Sequence, residues 1–196
     1  MKLSLTTRLS KYGALAVAGA AATAGVQTAD AAIVYSGVQN IAVPADFTGV
    51  YIDLDGLAFN TTGGNAASDY NIWFTGGGWD TFHPNGTTTH EASDAVNVDV
   101  LAAGAAVTGG TSLNQDELDL FDSSLGGPGS GFIGFNNAGN LGWIQLANVD
   151  ASAGTLTVVD WAFEDSGGAI NAGQVPEPGS LALLGLGGLA LLRRRR

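Results

Sequence analysis

The chain has 196 residues, among them 18 Asp and Glu, seven Lys and Arg, and no cysteine, which excludes disulfides and thiol nucleophiles. The seven cations are Lys2, Arg8, Lys11, Arg193, Arg194, Arg195 and Arg196, so residues 32–178 hold 17 carboxylates and no Lys or Arg. A body without a cation cannot neutralise phosphates, which excludes nucleic acid as a partner.

In chain order, residues 1–31 read as a secretory signal peptide. Lys2, Arg8 and Lys11 form a positive segment, 13–26 is an apolar run rich in Ala and Gly, and Ala29 and Ala31 place small residues where signal peptidase reads. Cleavage is expected after Ala31.

Residues 32–174 then read as one domain, long enough for its own core. Glycine occurs 30 times, about twice its average frequency, between short runs of Val, Ile, Phe, Tyr, Trp and Thr. Such spacing predicts an all-β body, a single β-sandwich that is jelly-roll-like. Strands are expected at 33–36, 39–43, 50–54, 70–75 and 96–101. In the third, Val50, Ile52 and Leu54 alternate with Tyr51 and Asp53. In the fifth, Val96, Val98 and Val100 should point inward. Residues 81–95 and 109–131 read as loops, the latter with a short helix starting near Asn114. The last third predicts a three-stranded meander, 131–136, 141–149 and 155–164, turning at 137–140 and 150–154 on residues that accept tight backbone. Val159, Trp161 and Phe163 are expected to share its inner face, with Trp143 also in the core.

Candidate chemistry is sparse. Asp53, Asp55 and Gly56 fit either a strand end with an Asp-Gly turn or a weak calcium site; a third acidic position that would complete an EF-hand-type loop is missing. Asp116, Glu117, Asp119 and Asp122 fit a solvated helix face or a divalent cation. His83, His90 and Glu91, with Asp80 nearby, fit loop residues or a metal site that only a favourable hairpin register would assemble. Asn60 and Asn85 begin glycosylation sequons. Tyr70, Trp73 and Trp79, beside a glycine-rich loop, offer rings for stacking on sugars. No nucleophile elbow is present, and no particular pair among the carboxylates is marked for glycoside hydrolysis.

The most ordered signal is the end. Val175, Pro176, Glu177, Pro178 and Gly179 are followed by an apolar run to Leu192 and then by Arg193, Arg194, Arg195 and Arg196. Two prolines keep the approach extended. Residues 179–192 would form a helix of roughly 21 Å. That falls short of the roughly 30 Å hydrocarbon core, and the arginines would stop it at the cytoplasmic face. An ordinary membrane anchor or a temporary membrane-held signal would fit that composition.

These three parts, in this order, resemble the PEP-CTERM sorting signal of Gram-negative bacteria. Residues 131–135, 141–146 and 158–164 also resemble strands that precede this signal in many such proteins, with Leu141 in place of the usual Tyr. The resemblance divides the chain into a signal peptide (1–31), a β-sandwich domain (32–174) and a sorting signal with a short transmembrane helix (175–196). It implies export across the inner membrane, transient residence there, and cleavage near Pro176, Glu177 and Pro178 by an exosortase, signal peptidase having removed the leader. The mature chain would be a non-enzymatic protein of the exopolysaccharide or biofilm matrix, at the cell surface or released, without a cofactor other than calcium as a candidate ion. The alternative is a secreted carbohydrate-binding module or glycan hydrolase, calcium-stabilised.

Overall fold

A computed structural model describes residues 32–63, 68–83, 87–89, 96–108 and 115–177. Eleven strands follow in order: β1 Ile33–Tyr35, β2 Ile41–Ala42, β3 Val50–Asp53, β4 Ala58–Asn60, β5 Tyr70–Phe74, β6 Trp79–Phe82, β7 Thr88–Thr89, β8 Gln115–Glu117, β9 Ser130–Asn137, β10 Asn140–Asp150 and β11 Thr155–Glu164. They form two antiparallel sheets. One runs β1-β11-β10-β9-β7, with β2 sharing the outer edge of β11 beside β1; the other runs β4-β3-β5-β6-β8.

Alternation explains most of the core. Val50, Ile52 and Leu54 from the smaller sheet are wholly buried, as are Ile133, Phe135, Ile144, Leu146 and Val158 from the larger, and both sets meet in one apolar cluster. Each such side chain contributes roughly 1.5–3 kcal/mol by leaving water. Trp161 adds a polar tie between the sheets, its indole N–H donating to the Leu54 carbonyl at 3.3 Å.

The meander forms as the sequence predicts, with longer first and second strands. Its inner face is set by a β-bulge, because Gln145 pairs with Asp160 while Leu146 pairs with Val158, leaving Val159 over. The Val159 carbonyl accepts from Gln39 N (2.8 Å) and Asn40 N (3.0 Å). Parity therefore switches at the bulge. Leu156 and Val158 precede it in the main core and Trp161 and Phe163 follow it there, so Val159 does not share their face. Trp143 belongs to a second cluster with Leu101, Val107, Ala162, Ile170 and Ala172.

Two other expectations change. No strand spans 96–101; its ends make isolated bridges, Asn97 with Glu117 and Leu101 with Phe132, while Val98 is buried and Val96 lies exposed. Asn114 lies outside the described residues, and Gln115–Glu117 after it pairs with β6 rather than forming a helix. Among the described residues of this region, a 3-10 turn forms at Ser123–Leu125, capped by the Asp122 carboxylate and ended by Gly126 at φ 94°. Among the described residues no helix is long and apolar enough to cross a membrane.

Candidate functional site

β3 and β5 build an acidic corner. They pair antiparallel with Ile52 opposite Tyr70, so Asp53, just after Ile52, comes beside Asp69, just before Tyr70. Asp55 enters from the turn after β3. Carboxylate oxygens of Asp53, Asp55 and Asp69 all lie within 4.8 Å of one another.

Backbone donors hold two of the three. Asp53 Oδ1 accepts from Gly56 N at 2.7 Å, and Asp69 Oδ2 accepts from Leu54 N at 2.9 Å. A Cβ at position 56 would stand 2.6 Å from both Asp53 carboxylate oxygens and would push that side chain from its place. Asp69 is only 8 % exposed. Burial raises the pKa of Asp53, against the Gly56 bond, and Asp55 adds by hydrogen bond and charge. Burial likewise raises Asp69, with the charges of Asp55 and Asp53 contributing. Three converging oxygen ligands without a cation repel one another, and a proton or a hard divalent cation relieves that repulsion. Asp53 and Asp55 were legible in the sequence. Asp69 was not, because only strand register brings it there.

Other sequence candidates are dispersed. His83 is buried, its ring 5.4 Å from that of Tyr70; His90, Glu91 and Asn85 lie outside the described residues. Asp122 is buried as the cap of the 3-10 turn and also accepts from Ala151 N, so it faces no helix surface. Glu117 and Asp119 line an open cleft of about 400 Å³ with Asp80, Thr75, Gly77 and Gly78. The Asn60 side chain binds Thr62 N and the Gly63 carbonyl. Of the three rings proposed for sugars, Tyr70 and Trp79 are core residues. Trp73 remains half-buried on the outer face of the smaller sheet, 6.4 Å and edge-on from the exposed Phe82. Strand register adds Tyr51 to that face, opposite Asn71, which in turn pairs with Phe82.

At the end of the body the fold hands over to the tail. Val175, Pro176 and Glu177 are exposed; Pro178, Gly179 and the four arginines, like Ala29 and Ala31 of the leader, lie outside the described residues. Residues 174–196 match the PEP-CTERM protein-sorting motif. The chain carries a PEP-CTERM sorting motif. No curated protein and no solved structure matches it. The PEP-CTERM motif implies an exported chain, held at the membrane as a precursor and processed by an exosortase. It covers only the tail, so the role of the body rests on its own residues.

Proposed function

We propose that this is a non-enzymatic β-sandwich protein, jelly-roll-like, of the extracellular or cell-surface exopolysaccharide matrix, freed of its leader by signal peptidase and of its tail by an exosortase. The PEP-CTERM match immediately after the folded body carries this reading. Supporting the non-enzymatic part, several buried carboxylates are engaged in structure: Asp122 caps a turn, Asp160 accepts from Tyr35, and Glu164 accepts from Ser166. Intact-mass measurement of the protein from its native cells tests the processing. Loss of residues 1–31 and of the arginine cluster is expected; a mature pool that retains Arg196 rejects it.

Calcium belongs to the same proposal as a weak stabilising ligand at Asp53, Asp55 and Asp69. What favours it beyond the sequence is the buried third carboxylate. The ion would neutralise the corner and tie the β3–β4 turn to β5.

A second reading, glycan binding, is favoured by Tyr51, Trp73 and Phe82 on the outer face of the smaller sheet. Rings beside Asp80 suit a neutral polysaccharide, and a body without cations disfavours an anionic one. Trp79, Trp143 and Trp161 are buried, so Trp73 is the tryptophan whose surroundings a ligand on this face would change. Titration with neutral polysaccharides should shift the emission, and the shift should vanish in Trp73→Ala. Unchanged emission across the series counts against this reading.

A further inference from the structure

After β11 the chain turns back over the outer face of the six-stranded sheet and is held there to its last body residue. Ile170 and Ala172 are buried beside Trp143 and Ala162. The backbone pairs with the segment 104–107: Gly104 N donates to the Ala172 carbonyl (2.8 Å), Ala172 N to the Ala105 carbonyl (2.8 Å) and Val107 N to the Ile170 carbonyl (3.0 Å). Gly173, at φ 77°, lies against the Phe132 ring, where a Cβ would stand 3.1 Å from Cζ. The final tie is the Trp143 indole N–H, which donates to the Gln174 carbonyl at 3.1 Å. Gln174 also closes a loop on Asn171, donating its backbone N–H to the Asn171 carbonyl (2.9 Å) and accepting at Oε1 from Asn171 N (3.0 Å).

Immediately beyond, Val175 is 42 % exposed. The PEP-CTERM match begins at residue 174, so the last tie to the body and the first residue of the motif coincide. No linker separates them. A cleaving enzyme takes its substrate as extended chain, and a segment bonded into a fold is cut only from its opened form, at a rate that follows the population of that form.

We infer that Trp143 is a positioning residue for processing: its indole latch on Gln174 sets the N-terminal limit of the chain a cleaving enzyme can take. Bonds before Gln174 are protected, and the mature chain ends beyond it. This rests on the reading that the tail is processed, but the latch can be tested apart from it.

Two variants of the full chain, in detergent, make the test. Trp143→Phe keeps a ring against Phe132 and deletes the donor. Gln174→Ala removes the Oε1 acceptor of Asn171 N at an exposed position but keeps the backbone carbonyl that Trp143 bonds, so it is the control in which the latch is intact. A broad-specificity endoprotease should trim the wild type to a limit product ending at residue 174 or later. Trp143→Phe should give products ending within 169–173, with exchange at the Ala172 amide faster by about fivefold to tenfold, the scale of one lost hydrogen bond, while Gln174→Ala should keep the wild-type limit product. The Ile144 amide in β10 should keep its rate, which separates latch opening from general destabilisation. Wild-type products ending inside 169–173, unchanged Ala172 exchange in Trp143→Phe, or the same shortened products from Gln174→Ala as from Trp143→Phe, overturn the latch. In native cells the wild type should give one mature end beyond Gln174 and Trp143→Phe additional shorter ones. Identical ends in the two would sever the latch from processing, whereas Arg196 retained in the wild type would reject processing itself and leave the latch to the digestion result.

Discussion

The Tyr35 hydroxyl donates to Asp160 Oδ2 at 2.6 Å, while Asp160 Oδ1 is buried with no partner among the described residues. β1 thereby satisfies half of a carboxylate that β11 carries on its outer face. Burial, then the hydrogen bond and charge of Asp160, push the Tyr35 hydroxyl up to about 12, which keeps it a donor. Burial raises Asp160 as well, against the lowering effect of that bond.

Removal of this donor should therefore cost more than one hydrogen bond. Tyr35→Phe leaves a buried carboxylate with neither oxygen paired, at a cost of about 2 kcal/mol near pH 7 and less near pH 4, where Asp160 takes a proton. Urea denaturation at the two pH values measures it. Adding Asp160→Asn should recover part of the loss at pH 7; an equal loss at both pH values would show that the charge of Asp160 is not the cause.

Calcium should raise the melting temperature of the wild type at matched ionic strength. Asp69→Asn should abolish the rise while raising the melting temperature measured without calcium, since it deletes one of three repelling charges. The gain should shrink as pH falls through the raised values of Asp53 and Asp69, as protons compete for the same oxygens. Equal melting temperatures with and without calcium remove the site from the account.

The pH profile should run opposite to ordinary acid lability over its upper part. Asp53, Asp69 and Asp160 have raised pKa values, chiefly through burial. The stability gained from their protonation is complete below the unfolded value near 4 and is lost as pH rises through the folded values. Asp150 and Glu164 are lowered, first by the Ser152 and Ser166 hydroxyls, so their contribution is present above about 4 and is lost as pH falls through their folded values. Thermal melts at constant high ionic strength should show stability rising as pH falls through the raised folded values of Asp53, Asp69 and Asp160 toward about 4, and falling below that as Asp150 and Glu164 take up protons. A steady decline from pH 7 downward would contradict the buried carboxylates.

Gly142→Ala should be among the costliest single-methyl changes. A Cβ at 142 would stand 2.2 Å from Phe135 Cζ and 2.6 Å from the Ala162 carbonyl, between two strands that cannot part. About 3 kcal/mol is expected from overpacking of this severity. Chemical denaturation showing less than about 1 kcal/mol would mean that the Phe135 ring swings aside freely.

Local rules explain what is legible in the sequence. Period-2 alternation located β3 and β5, glycine and asparagine located the turns of the meander, and the order of prolines, apolar run and arginines identified the tail. What escaped depends on distant pairing. The extra residue at Val159 shifts every side chain after it to the opposite face, and no composition signal marks that bulge. Asp69 joins Asp53 through the register of Ile52 with Tyr70. The segment 115–117, acidic and apparently helical, is drawn into a strand by the free edge of β6.

The pairing of β1 with β11 bears on timing. Ile33 faces Glu164, so the outermost strand of the larger sheet finds its neighbour only when residues near the far end of the body are available. A chain threaded through a membrane pore from its N-terminus would emerge with Ile33–Tyr35 waiting for almost the whole domain to follow. Contacts this remote in sequence form late and slowly. The body would thus remain open during passage and close as its last strand arrives, shortly before the motif that ends its journey.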